Sequence, residues 1–204
     1  IKNFLILFIQ QNQNRQIDHT LEKSVIDLFV SLSKSSFDAL GDLFEFLIEK
    51  VPEKVKEGEF VSDVLSNEIS SENWGIVEKL CIFSFDGKKK EEIVPILKRS
   101  RIIPRLIQEL DILNFIYEKG IIEEKFRLED EKQLSSLVVP FKLIFKYEDY
   151  FKDLINDDDK IRIKKDSSSL TYSLNKCEIN FHSKAEVISV MVKFISWNNS
   201  WKWI

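Results

Sequence analysis

Along residues 1–156 the apolar positions fall at helical spacing, and beyond the triplet Asp157, Asp158, Asp159 they fall at every second residue. Leu21, Val25, Leu28, Phe29 and Leu32 make one stripe, with Asp18 placed to cap it. Phe37, Leu40, Phe44, Leu47, Ile48 and Val51 make a second, with Ser36 as its cap and Pro52 as its stop. So short a connection predicts that these two helices pack as a hairpin. The period fades over 53–70, which reads as a loop holding one short helix at 61–65. Ser71 then caps a helix through Trp74, Ile76, Val77, Leu80, Cys81 and Phe83. It is apolar on more than half its circumference, so it is expected to be the most buried element; Asp86-Gly87 ends it as a turn.

The stripes continue downstream. A short helix over 92–98 carries Pro95. A longer one over 102–118 places Ile103, Leu106, Leu110, Leu113 and Tyr117 on one face, and Gly120 is suited to stop it. Leu134, Leu137, Val138 and Phe141 mark a further helix that Pro140 should kink or break, and Tyr147, Phe151, Leu154 and Ile155 mark another. Past the aspartates, Ile161 and Ile163, then Leu170, Tyr172 and Leu174, then Cys177, Ile179 and Phe181 alternate with polar residues. That alternation predicts a three-stranded antiparallel meander. Ser183 and Glu186 form the capping box of a terminal apolar helix that covers it. The expected fold class is therefore mainly α: a helical bundle or irregular α-helical stack over 1–156, then a β-meander-plus-helix subdomain over 157–204 packed on it.

Composition narrows the chemistry. The chain of 204 residues holds 5 Gly, 2 His, 2 Cys and 1 Met, too few for a phosphate-cradling glycine loop, a His/Cys metal site or a histidine relay. With 16 Phe, and Ala only at Ala39 and Ala185, the usage points to an AT-rich source genome. Net charge is −4, which gives no overall attraction to nucleic acid or anionic membrane. Cys81 and Cys177 read as buried free thiols, so an intracellular, cytoplasmic setting is expected. The apolar run at 4–9 is too short to span a bilayer. The first residue is Ile rather than Met, which fits a fragment or a processed chain.

Few residues suggest a site. Arg15 and His19 stand four apart, closer than the Arg and His of helical nucleases of the HEPN kind, and His19 reads as a surface residue at a helix entry. His182 has no second His or Cys at ligand spacing. Asp157–Asp159 lack the spacing of a calcium loop and read as turn solvation. Glu123-Glu124, Glu129–Glu131 and Glu148-Asp149 read as wet helix faces or ends, and nothing selects a catalytic pair. No catalytic residue, cofactor or metal is assigned.

Two features invite partners. Trp197, Trp201 and Trp203 crowd seven residues, and tryptophan is a strong interface anchor. The other is the basic concentration at Lys88, Lys89, Lys90, Lys98, Arg99, Arg101 and Arg105. The order of elements over 74–128 (helix, Asp86-Gly87 turn, short helix, Ser100, longer helix, Gly120-Ile121-Ile122, extended segment) loosely resembles a winged-helix module. That resemblance implies Arg101, Arg105 and Gln108 facing the major groove, with Lys125 and Arg127 in the wing. The expected function is thus a non-enzymatic scaffold or interaction subunit that binds a protein partner, or itself, through a helical surface and the tryptophans. The alternative is a nucleic-acid-binding or regulatory module that uses 74–128.

Overall fold

The computed structural model describes residues 2–12, 18–32, 40–67, 71–123, 134–176 and 184–197. It is 88% helical, and no β-strand occurs among the described residues. Two compact units divide the chain, Ile1–Ser100 and Arg101–Ile204.

The first unit contains α1 (Lys2–Asn12), α2 (His19–Leu32), α3 (Leu40–Lys50), α4 (Pro52–Lys56), α5 (Gly58–Leu65), a 3₁₀ turn at Ser71–Asn73, α6 (Trp74–Phe85) and α7 (Lys90–Arg99). The Asp18 carboxylate caps α2 by accepting the Leu21 amide at 2.8 Å. α2 and α3 pack together as expected, with Phe29 against Phe44 and Phe60 at ring distances of 5.8 Å. Ser36 and Phe37 lie outside the described residues.

The short helix expected at 61–65 is present as α5, which starts earlier at Gly58, and part of what was read as loop before it is a further helix, α4. Pro52 opens α4 at a position whose amide has no helical partner to lose. α5 buries Phe60, Val61, Val64 and Leu65. Elements of one or two turns are too short to display a period. Gly58 begins α5 against α7, where a Cβ would stand 2.8 Å from the Ile96 side chain. The Ser84 hydroxyl donates to the Val55 carbonyl at 2.9 Å, tying α6 to α4.

α6 ends at Phe85 and is followed by a turn at Asp86-Gly87, where the Gly87 φ of +73° suits a residue without a Cβ. It is not the most buried helix, since Ile82 on its outer side is 54% exposed. Cys81 is a buried free thiol, and Cys177 lies outside the described residues. α7 has acidic Glu91 and Glu92 in its first turn and Lys98 and Arg99 in its last, matching the helix dipole at both ends. The Glu92 carboxylate accepts the Lys89 amide at 2.9 Å.

The second unit contains α8 (Ile102–Glu123), a short helical stretch at 134–136, α9 (Val138–Lys146), α10 (Glu148–Phe151), α11 (Asp157–Lys176) and α12 (Lys184–Trp197). All five stripe residues of α8, from Ile103 to Tyr117, are buried. α8 runs through Gly120 to Glu123, so that glycine is not its stop. The chain breaks helix at Leu137, just before α9 and three residues upstream of Pro140, whose ring nitrogen cannot donate back to Ser136. α9 is heavily covered, with Val138, Val139, Pro140, Phe141, Leu143 and Ile144 all buried. Phe194 of α12 packs on Phe141 and Phe145 at 5.4 and 6.3 Å.

The expected C-terminal meander is overturned. Its first two strands form one uninterrupted helix, α11, which packs on α8 and α12. The third, at Cys177–Phe181, and the capping Ser183 lie outside the described residues. The alternation that suggested strands came from Ile161 and Tyr172, which are 66% and 62% exposed. The face that is buried reads Lys160, Ile163, Ser167, Leu170, Leu174, a spacing of three and four residues. Only three of those five are apolar, so the helical stripe was diluted below recognition. The aspartate triplet is the first turn of this helix. The Asn156 side chain caps it by accepting the Asp159 amide at 2.7 Å, and the three carboxylates suit its positive end.

No helix among the described residues is long and apolar enough to cross a membrane.

Candidate functional site

The basic cluster is split by the fold. Lys88, Lys89, Lys90, Lys98 and Arg99 belong to the first unit, Arg101 and Arg105 to the second. The Lys88 ammonium donates to the Lys56 carbonyl at 2.5 Å. Burial pushes its pKa below the usual lysine range; nearby Lys56 acts in the same direction and Glu92 opposes them. Lys89 contributes the backbone amide that enters α7. Arg99 pairs with Glu59 at 2.7 Å. Arg101 has φ of +54°, the left-handed stop after α7 that glycine usually fills, and its carbonyl accepts the Arg105 amide at 3.0 Å.

Arg105 is half-buried, 3.5 Å from Glu109, and Glu109 also accepts the Ser136 hydroxyl at 3.1 Å. Only Arg101 and Gln108 of the three residues assigned to a DNA-facing helix are exposed. The segment expected to be extended after Gly120 stays helical to Glu123, and Lys125 and Arg127 lie outside the described residues.

Trp197 is the last residue of α12, and Trp201 and Trp203 lie beyond the described residues. His19 is exposed at the start of α2; Arg15 and His182 are outside. Among the described residues no group of three His, Cys, Asp or Glu side chains could hold a metal ion. Asp157 instead pairs with Lys160 at 3.3 Å.

Two arrangements not selected by the sequence emerge. The first is an open groove of about 480 Å³ between α1 and α3. Ile9, Phe46 and Ile48 form its apolar lining, and Gln10 stands beside them. Asp42, Glu45 and Glu49, spaced i, i+3, i+7 along α3, supply three exposed carboxylates. The Phe8 ring meets Phe46 edge-on at 6.0 Å and sets α1 against α3. Glu45 meets Lys79 at 3.0 Å and Glu49 meets Lys50 at 3.0 Å. Both glutamates are more than half exposed, so these ion pairs hold them weakly.

The second is a polar seam between α8 and α11. The Arg162 guanidinium bonds the Asp111 carboxylate and lies 3.8 Å from Asp166 one turn along its own helix. The Asn114 amide donates to the Asp166 carbonyl at 2.9 Å. These two cross-links advance together along both helices, so α8 and α11 run parallel. The Asp166 carboxyl, 17% exposed, is held above the usual aspartate range, first by burial and then by the like charge of Asp111; Arg162 and Lys165 pull it back down. Sequence alone could not pair these residues, because Asp111 and Arg162 stand 51 positions apart and the strand reading of α11 put Arg162 and Asp166 on no common helical face.

No family model, curated protein or solved structure matches this chain.

Proposed function

We propose that this chain is a non-enzymatic interaction subunit that holds a positively charged amphipathic segment of a protein partner against its helical surface. The groove between α1 and α3 carries this reading. Its apolar lining offers a seat for the hydrophobic side of a helix, and the carboxylates of Asp42, Glu45 and Glu49 offer partners for lysine or arginine on the flanks of that helix. The tryptophans at 197, 201 and 203 are the second contact in this proposal, since Trp buries a large area with few rotatable bonds.

The test uses the full chain in two independent arms. A synthetic cationic amphipathic helix and its charge-reversed counterpart are titrated against wild type and against the exposed-site variant Asp42→Lys plus Glu49→Lys. The expected result is binding of the cationic peptide only, lost in the variant; equal binding of both peptides, or none, overturns the groove's role. Native mass is then measured for wild type and for Trp201→Ala plus Trp203→Ala, where loss of a stable complex is expected. Salt-sensitive binding to random DNA or RNA, abolished by Arg101→Glu plus Arg105→Glu, would replace this reading with a nucleic-acid-binding module.

A further inference from the structure

We propose that a second copy of this chain occupies the groove between α1 and α3, bringing the lysines at the end of its α6 against the carboxylates, and that the contact is reciprocal. This rests on the groove reading and names the partner for that site. Both surfaces belong to the first unit. The groove supplies the negative part, with Asp42, Glu45 and Glu49 beside Ile9 and Phe46. The outer side of α6 supplies the rest. Lys79, Ile82, Phe83 and Asp86 follow one another at i, i+3, i+4 and i+7, and Ile82 among them is 54% exposed. Past it, cations gather. The Lys56 ammonium lies over the Phe83 ring at 5.1 Å, the Lys88 ammonium donates to the Lys56 carbonyl at 2.5 Å, and Lys89 is exposed. Asp86 offsets one of these three charges, and the Glu92 carboxylate is turned onto the Lys89 amide.

The two parts are neighbours on one surface. Glu45 lines the groove and also accepts the Lys79 ammonium at 3.0 Å. Further along, the Ser84 hydroxyl donates to the Val55 carbonyl. These links advance together, so α6 runs alongside α3 and α4 in the same direction. The surface therefore changes sign along its length, with carboxylates at one end, Ile82 between, and lysines at the other.

Turned through a half-rotation about an axis near Ile82, such a surface is its own complement. The lysines of each copy meet the carboxylates of the other, and the two Ile82 side chains meet at the centre. Lysine also suits the groove's lining, because its aliphatic stem covers apolar surface while its ammonium reaches the carboxylates. The positive and apolar occupant that the groove calls for is thus present in the chain itself. Most of the charges involved are exposed, so salt screens the attraction.

The experiment follows the mass of the full chain by analytical ultracentrifugation as concentration and salt are varied. Wild type is expected to pass from monomer to dimer with rising concentration at low salt and to lose the dimer at high salt. Two charge-reversed proteins are compared with it: Asp42→Lys plus Glu49→Lys in the groove, and Lys56→Glu plus Lys89→Glu at the end of α6. Each alone sets like charges against each other and is expected to stay monomeric. Mixed in equal amounts they meet opposite charges in both contacts, and the dimer is expected to return. Circular dichroism first establishes that both variants are folded; if either is not, the wild-type salt series decides alone. A dimer that survives both reversals, or one that mixing the folded variants does not restore, overturns the proposal. The cationic peptide separates this proposal from the groove reading. A wild type that is monomeric at every concentration yet binds the peptide keeps the groove's role and overturns the second copy, whereas one that does neither overturns both.

Discussion

α8 and α11 lie side by side, run the same way and bury comparable faces, yet only α8 announces itself in the sequence. α8 places Ile103, Leu106, Leu110, Leu113 and Tyr117 on its hidden side, a continuous stripe of large apolar groups. α11 hides Lys160, Ile163, Ser167, Leu170, Ser173 and Leu174, half of them polar, and shows Ile161 and Tyr172 to solvent. The difference teaches that a helix can be fixed by its ends and its neighbours rather than by its stripe. α11 has a side-chain cap, three carboxylates at its positive end, Lys176 at its negative end and no Gly or Pro inside. A strongly apolar neighbour on each side supplies the burial that its own sequence supplies thinly.

The comparison breaks if the apolar residues of α11 carry no weight. Leu110 in α8 and Ile163 in α11 are both fully buried. Leu110→Ala and Ile163→Ala are each expected to lower unfolding stability by about 2–5 kcal/mol, the usual cost of emptying a core site. Urea denaturation of the two variants measures it. An Ile163→Ala loss below about 1 kcal/mol would mean that α11 is not docked through this face.

The same contrast explains what the chain disclosed beforehand. The helices α2, α3, α6 and α8 were legible from their long apolar stripes, although Gly120 does not stop α8 and Asn73, not Ser71, stands at the start of α6. α4 was hidden by brevity, and of α5 only 61–65 was legible. α11 was misread because Ile161-Arg162-Ile163 and Leu170-Thr171-Tyr172-Ser173-Leu174 satisfy a period of two locally, while the serines at 167–169 imitate a turn. The opposing evidence was in the same letters: Asn followed by three aspartates is an N-terminus signature. For the site, the acidic side of the groove needed only the i, i+3, i+7 spacing of Asp42, Glu45 and Glu49, but the packing of α1 on α3 is tertiary. The Asp111–Arg162–Asp166 seam required knowing that α11 is a helix at all.

If the ends of α11 fix it, removing its cap should register. Asn156→Ala deletes the acceptor for the Asp159 amide and is expected to cost about 1 kcal/mol, with Asn156→Ser restoring most of it. Thermal unfolding compares the three proteins. No loss in the alanine variant would return the weight to the stripe. A smaller effect of opposite sign is expected at Ser167. Its side chain is fully buried on the docking face, and its hydroxyl makes no hydrogen bond among the described residues. Ser167→Ala removes a desolvated polar group and improves helix propensity, for an expected gain on the order of 0.5–1 kcal/mol in denaturant midpoint analysis.

The smallest expected effect is the most discriminating. On a strand, Ile161 and Ile163 would point to the same face, and truncating either would cost about the same. On α11 they lie about 200° apart, one buried and the other 66% exposed. Ile161→Ala is therefore expected to change stability by less than about 0.5 kcal/mol, even while Ile163→Ala causes one of the largest losses in the molecule. A neighbouring pair gives an internal check, since Tyr172 is exposed beneath the Lys176 ammonium at 4.2 Å and Leu174 is buried. Tyr172→Ala should lose only the cation–π contact, roughly 0.5–1 kcal/mol, whereas Leu174→Ala should fall with Ile163→Ala. Equal losses within each pair would restore the period of two and remove the helix on which the seam and the comparison both stand.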